Sequence, residues 1–166
     1  MAGNILENNI SVDKFYIFQS NEVNKITITD EQVQYAGTAK GFLVGGNDTT
    51  YLHVIKNNDI IIGFFKIDTA YSGSFSFCPN NGLGLKAFAI DINFQGKGIG
   101  TQVVKELLPY LETNYPEYKS VYLTVNCKNP AAKSCYQKGG FSDTEELYLG
   151  GDAGPQHIMY AKLENK

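Results

Sequence analysis

The chain has 166 residues, 43% of them hydrophobic, and a formal net charge of −3 at pH 7. That length is typical of one globular domain with a sizeable core, and the composition excludes a disordered chain. The sequence contains no cluster of Lys or Arg and no apolar run long enough to cross a bilayer, so we expect neither nucleic acid nor a membrane as a partner.

The first predicted elements lie in a part of the chain where the patterns are weak. Lys14–Phe18 suits a short strand. Asp30–Phe42 has the composition of a helix, with Thr29 or Asp30 as its N-cap and Glu31 in its first turn. Because no repeat or low-complexity linker divides the sequence, we expect a single domain over residues 1–166.

A β-hairpin is the clearest element of the N-terminal half. Tyr51–Ile55 and Ile60–Ile67 are rich in β-branched and aromatic residues, which favour strands. The Asn-Asn-Asp sequence at 57–59 between them is typical of a turn. Ser72–Phe77 is predicted to form a further short strand.

A buried strand and a long helix follow the hairpin. Leu85–Ile92 is mostly apolar, as a central strand buried on both faces should be. The helix after it has an apolar residue at every fourth position, namely Ile99, Val103, Leu107 and Leu111. Pro109 lies within this pattern, so we expect it to kink or weaken the last turns.

The last third of the chain continues the alternation of strands and helices. Val121–Val125 is the next strand, and a short helix begins with Asn129 as N-cap and Pro130 in the first position. A Gly-Gly pair at 139–140 ends this helix. Two final strands follow, one from Phe141 onward and one over His157–Leu163. This order indicates an α/β or α+β domain around one central sheet.

The turn at 95–100, with the sequence Gln-Gly-Lys-Gly-Ile-Gly, joins the buried strand to the long helix. Its glycines allow several backbone N–H groups to point in one direction, and the helix N-terminus adds positive potential. Such a turn suits phosphate. The dinucleotide pattern read from Gly96 needs a third glycine where Thr101 stands, and the Walker pattern fails at the same position.

The remaining pattern is Q-x-x-G-x-G, formed by Gln95, Gly98 and Gly100 between a strand and a helix. It resembles the pyrophosphate loop of the GNAT superfamily of N-acetyltransferases. A second stretch of the chain is similar to the strand–helix–strand unit of that family. Its matching residues are Leu123, Thr124, Val125, Asn126, Asn129, Ala132, Tyr136, Lys138, Gly140 and Phe141.

The resemblance implies a GNAT fold, in which a mixed central sheet of about six to seven strands is flanked by helices and splayed between the fourth and fifth strands. It also implies an enzyme that moves an acetyl group from acetyl-CoA directly to a primary amine. The expected acceptor is a small molecule or a peptide, and a homodimer is an expectation from the family.

Specific site residues follow from the same resemblance. The strand before the turn binds the pantetheine arm through its backbone, and an N–H near Ile90 polarises the thioester carbonyl. Tyr136 is implied as the general acid. For Asn129, a contact to the cofactor arm and a plain helix N-cap both stay open. The implied cofactor-binding residues are Phe88, Ala89, Ile90, Gln95, Gly96, Lys97, Gly98, Ile99, Gly100, Thr101, Asn129 and Tyr136.

The general base is the least defined part of the predicted site. Many family members have an acidic residue on the strand before the loop, but this chain has Gly84 and Lys86 at the matching positions. A cation at 86 would repel a polyamine acceptor. Asp91, His157 and a relayed water are the remaining candidates for the base, and His53 is a weaker one.

Two other functions stay open. The missing acid motivates a non-catalytic acyl-CoA-binding or regulatory module on the same fold, and the Tyr- and Phe-rich composition motivates a self-assembling interaction protein. The three cysteines, Cys78, Cys127 and Cys135, do not have zinc spacing, so no metal is expected. Free thiols and a start, Met1–Asn4, without a signal-peptide pattern favour the cytoplasm.

Overall fold

The computed structural model describes residues 8–164, so Met1–Asn4 lies outside the described residues. The strands of its central sheet are β1 Ile10–Lys14, β2 Thr50–Asn57, β3 Ile60–Asp68, β4 Gly82–Ile90, β5 Ser120–Asn126, β6 Ser142–Tyr148 and β7 Gln156–Lys162. The helices are α1 Ser20–Asn24, α2 Asp30–Ala36, α3 Ala39–Leu43, α4 Tyr71–Ser74, α5 Ile99–Asn114 and α6 Pro130–Gly139.

The sheet has the order β1-β2-β3-β4-β5-β7-β6, and only its β4–β5 pair is parallel. The predicted mixed sheet flanked by helices is therefore confirmed. The predicted splay is present as well. Strand β4 has nine residues and β5 has seven, yet they pair only between Gly82–Gly84 and Ser120–Tyr122. Beyond Gly84 the two strands separate.

Helices cover both faces of the sheet, as alternating side chains on β2 and β3 require. Val54 and Phe64 belong to a core cluster with the N-terminal helices, which contribute Val23 and Phe42. Their neighbours in sequence point to the other face, where a larger cluster includes most of the apolar stripe of α5. The predicted helical stripe is thus the side of α5 that packs on the sheet, and α5 continues past Pro109 to Asn114.

Two local backbone features shape the middle of the sheet. The predicted turn between β2 and β3 is present, with Asn58 and Asp59 at φ 51° and 68°. A β-bulge lies in β4, where Ala87 has φ 54°. The ladder pairs Phe64 with Ala89 and Lys66 with Lys86, so the one residue of β3 between these pairs faces two residues of β4. Strand β4 bends at this point, next to the splay.

Several N-terminal predictions were wrong. The first strand is Ile10–Lys14, and the region predicted as strand up to Phe18 contains a 3₁₀ turn instead. The single helix predicted over Asp30–Phe42 is two helices, because Gly37 has φ 80° and ends the first. Thr29 is the N-cap, as expected.

Other boundaries also differ from the sequence patterns. The strand predicted at Ser72–Phe77 is replaced by the one-turn helix α4. The central strand ends at Ile90, two residues before the predicted Ile92. Among residues 8–164, no helix is long and apolar enough to cross a membrane.

His53 on β2 is completely buried between Phe65 and Tyr110, whose ring centroids lie 4.9 and 5.5 Å from its own. Its Nδ1 lies 3.0 Å from the carbonyl oxygen of Tyr51, so Nδ1 carries the proton and donates it. Its Nε2 has no partner within the described residues. Burial, the largest cause, lowers the pKa of His53 from 6.5 to about 4.

We predict that His53 makes the fold sensitive to acid. Below pH 6.5 the unfolded chain binds a proton at His53, whereas the folded chain binds one only near pH 4. The free energy of unfolding therefore decreases as the pH falls from 6.5 to about 4. The expected loss from this group is about 3 kcal/mol. Urea unfolding of the wild type and of His53→Leu at pH 7 and pH 4 measures it. An equal loss in both proteins would contradict the prediction.

Candidate active site

A cavity of about 1050 Å³ opens where β4 and β5 separate. Its walls come from α2, the second half of β4, the glycine turn, α6, and the loop between β6 and β7. This volume is at the upper end of the range for small-molecule sites. Of the residues predicted to bind cofactor, all except Lys97 and Ile99 border this cavity.

The glycine turn leaves backbone N–H groups at the N-terminus of α5 free to bind an anion. Gly96 and Gly98 both have φ 76°, and Gly98 is the N-cap of α5. The N–H of Gln102 donates to Gly98 O at 3.2 Å. The three N–H groups before it, those of residues 99–101, therefore have no acceptor inside the helix. This geometry and the helix dipole suit a phosphate group.

The other side chains of the turn have structural roles. Gln95 Nε2 donates to the carbonyl oxygen of Ile90 at 2.7 Å, which ties the turn to the end of β4. The ammonium of Lys97 is 3.5 Å from the carbonyl oxygen of Asn93. Ile99 is 2% exposed and packs in the main core. For Lys97 and Ile99, a contact to the cofactor through the backbone stays a prediction.

Tyr136 on α6 borders the cavity at the bend of β4. Its ring lies edge-on to Phe88 and to Phe141, each with a centroid distance of 5.7 Å. Burial, together with the neighbouring Cys135, raises the pKa of Tyr136 above its ordinary value. The phenol is therefore protonated at neutral pH and has a proton to donate. Asn129 caps α6 through its Oδ1, 3.4 Å from the N–H of Ala132, and it also borders the cavity.

The residues considered as a general base do not border the cavity. Asp91 accepts hydrogen bonds from the backbone N–H of Thr27 and of Asn93, both at 2.9 Å, and holds the end of β4. His53 is in the core, and His157 lies on β7. Among the described residues, Asp152 contributes the only carboxylate to the cavity wall. Sequence reasoning did not select it, because it stands in a Gly-rich loop without a motif.

A tyrosine ring occupies the space where a side chain at position 84 would be. A Cβ added to Gly84 would lie 2.1 Å from a ring carbon of Tyr71. Tyr71 is 2% exposed, packs on Phe75 with a centroid distance of 4.5 Å, and borders the cavity. Glycine at 84 is therefore required by packing. A carboxylate stands on the neighbouring strand β3, since Asp68 pairs directly with Gly84.

Lys66 and Lys86, which are ladder partners, bring positive charge to the same cavity. The ammonium of Lys86 lies 3.5 Å from Asp68 Oδ2. Lys66 has no ion pair within the described residues. Burial first, and then the charge of Lys86, lower the pKa of Lys66. In the described chain, no group of three or more His, Cys, Asp or Glu side chains is placed to hold a metal ion.

Comparison with known proteins identifies the family. The model of the Acetyltransferase (GNAT) family matches residues 15–141. The chain belongs to this family. The GNAT fold predicted from the glycine turn is therefore confirmed. Similar solved structures contain bound coenzyme A, which supports acetyl-CoA as the donor substrate.

Part of this GNAT domain is similar in sequence to a curated amine acetyltransferase. The spermine/spermidine N(1)-acetyltransferase of Bacillus subtilis (strain 168) is 36% identical over 73 residues. That match covers 44% of this chain and 47% of the relative, so the chain spans about half the length of the relative.

Solved structures show the same fold at low identity. An aminoglycoside acetyltransferase, AAC(6')-Ib, in complex with coenzyme A and kanamycin has a TM-score of 0.73 and 18% identity, over 93% of this chain and 95% of its own. Spermidine N-acetyltransferase from Vibrio cholerae, in complex with CoA and spermine, has a TM-score of 0.68 and 16% identity, over 94% and 96% of the two chains.

We predict that Gly84→Ala destabilises this GNAT domain by about 1–3 kcal/mol, because the new methyl overlaps the Tyr71 ring. Adding Tyr71→Ala should make the combined loss smaller than the sum of the two single losses. Gly73→Ala is the control, since a Cβ there meets nothing within 4 Å. Urea unfolding measures all four variants. Strict additivity would show that the two residues do not compete for space.

Proposed function

We propose that this protein transfers an acetyl group from acetyl-CoA directly to a primary amine of a small molecule or peptide. The observation that carries the proposal is the unpaired edge of β4 beyond Gly84, which faces a cavity that the glycine turn also borders. Backbone groups on such an edge need a partner, and the family's pantetheine arm is a partner of the right shape.

Acetyl-CoA supplies an activated acetyl thioester. The N–H groups at the start of α5 would hold its pyrophosphate, and the bent end of β4 would align its arm. A backbone N–H near Ile90 would hydrogen bond to the thioester carbonyl. The fit is favourable, because residues 99–101 have unused N–H groups and no acidic residue stands in the first turn of α5.

Acetyl transfer forms a bond from nitrogen to the acyl carbon and breaks the bond to sulfur, so a proton must leave the amine and another must reach the sulfur. Tyr136 suits the second task, because its phenol is protonated at neutral pH and borders the cavity beside Phe88. Asp152 suits the first, since it is the only carboxylate on the cavity wall among the described residues.

Binding of the donor is the first test. We expect acetyl-CoA to raise the melting temperature and to give measurable heat in calorimetry. Gly98→Ala should weaken binding at least tenfold, because alanine is strained at φ 76° and the start of α5 must shift. Gly154→Ala is also strained, at φ 103°, in a residue that does not border the cavity, and it is the control for lost stability. Absence of any acetyl-CoA effect on the wild type would reject the proposal.

Tyr136→Phe tests the proposed acid. The variant should lower kcat about 100-fold with near-normal acetyl-CoA affinity, because the phenol acts only as charge develops on sulfur. The ring contacts to Phe88 and Phe141 are kept in this variant. An unchanged kcat across the pH range would remove Tyr136 from the acid role.

One observation favours a second candidate, a non-catalytic acyl-CoA-binding module. Gly84 and Lys86 stand at the strand positions where many family members have an acid, and Tyr71 fills the space beside Gly84. Acetyl-CoA binding without turnover on a broad amine panel would select this candidate, whereas acetylation of any panel amine above background hydrolysis would exclude it. A homodimer stays an expectation from the family.

A further inference from the structure

We propose that the acceptor carries a carboxylate as well as its amine, as an amino acid does, and that Lys66 is the residue that recognises the carboxylate. This inference rests on the proposed acetyl transfer and names the acceptor class. It starts from the charges on the sheet and loop side of the cavity wall. Among the described residues, the charged side chains there are Lys66 on β3, Lys86 on β4 and Asp152 in the loop between β6 and β7, while Lys138 borders the cavity from α6, the helix that carries Tyr136.

The charges on the sheet side do not cancel. Lys86 is neutralised by Asp68 at 3.5 Å, and the other oxygen of Asp68 accepts a hydrogen bond from the N–H of Ala70 at 2.8 Å. Both carboxylate oxygens of Asp68 are therefore already engaged. Lys66 stands directly across the ladder from Lys86 and has no ion pair in the described part of the chain. One positive charge remains without a counterion.

A bound anion would relieve the unfavourable environment of Lys66. Its side chain is half-buried, and the charge of Lys86 acts on it, so its protonated form is disfavoured on both grounds. A carboxylate within hydrogen-bond distance opposes both effects and forms a charge-assisted hydrogen bond. The ammonium lies against Gly45, where an added Cβ would be 2.1 Å from Nζ.

Lys66 is close enough to the predicted arm-binding backbone to contact the carboxylate of a bound acceptor. Lys66 pairs with Lys86, which is two residues before Phe88, so it stands roughly 7 Å along the strand from the predicted arm-binding backbone. The same cavity wall also has aromatic rings, since Tyr71 and Phe75 border it. An amino acid with an apolar or aromatic side chain matches this combination.

The carboxylate of Asp152 would attract the positively charged amine of the acceptor. The loop that carries it is fixed, because Asn126 Nδ2 donates to the carbonyl oxygen of Ala153 at 2.9 Å and the N–H of Cys127 donates to Pro155 O at 3.0 Å. On this side of the cavity, one carboxylate and one lysine that has no ion pair among the described residues fit a zwitterion. A polyamine has only positive charges, and Lys66 would repel it.

Matched pairs of acceptors test the inference directly. L-phenylalanine and 2-phenylethylamine differ only by the carboxylate, as do L-lysine and cadaverine. We expect kcat/KM for acetylation to be at least tenfold higher for the amino acid in one pair or both. Lys66→Met should reduce that preference to less than threefold while kcat/KM for the carboxylate-free amine stays the same or rises.

Two further variants separate recognition from folding. Lys105→Met removes an exposed lysine on α5 and should leave the preference unchanged. Gly45→Ala should reduce the preference, because its methyl takes the place of the Lys66 ammonium, the far end of a flexible side chain that is able to move without unfolding. Equal kcat/KM within each pair, or the same preference in wild type and Lys66→Met, would overturn the inference.

The outcome also distinguishes this inference from the proposed function. Acetylation of amines without any carboxylate preference would leave acetyl transfer intact and reject the acceptor class. If no amine is acetylated, the proposed function fails, and calorimetry with N-acetyl-L-phenylalanine and N-acetyl-2-phenylethylamine then decides. Binding of the acid at least tenfold tighter, lost in Lys66→Met, supports the carboxylate site, and equal binding rejects it.

Discussion

The separation of β4 and β5 after three residue pairs is the constraint on which the site depends. Backbone groups on a buried strand edge are costly without partners, so two neighbouring strands part only where something else is placed between them. Here the bulge at Ala87 bends β4, and the Tyr71 ring lies over Gly84 next to Thr124 of β5. The cavity follows from this geometry, and the glycine turn stands at its border because β4 leads directly into α5.

The same packing explains why this chain has no acid at position 84 of β4. A carboxylate side chain at position 84 and the buried Tyr71 ring exclude each other, since even a methyl group there overlaps the ring. The nearby carboxylate of Asp68 is 6% exposed and engaged with Lys86 and Ala70, so it contributes to local structure more than to proton transfer. Any base must therefore approach from elsewhere on the wall, and the loop carrying Asp152 is the side that offers one.

Local patterns predicted the glycine turn and the two helices that follow it well. The turn at 95–100, the apolar stripe of α5 and the Asn-Pro start of α6 each depend on residues close in sequence, so the sequence contains the whole signal. The acceptor side depends on register and on long-range packing. Lys66 meets Lys86 only because the bulge at Ala87 shifts the ladder, and Tyr71 reaches Gly84 only because residues 71–74 form a helix where a strand was expected. The alternation of polar and apolar residues along a strand predicts neither the bulge nor the helix.

The difference between locally determined and long-range features also bears on which acceptor the protein would bind. The family match ends at residue 141, before the loop that carries Asp152, while Lys66 lies on a strand whose pairing partner is displaced by a bulge. In the proposed function, donor binding would use backbone groups, whereas acceptor binding would use charged side chains on separate elements. Changes at 66 or 152 would then alter the acceptor with little effect on the fold, whereas a change at 86 would also leave the buried carboxylate of Asp68 without its ion pair. In the proposed acceptor site, the charge of Lys66, which has no ion pair among the described residues, would disfavour a polycation.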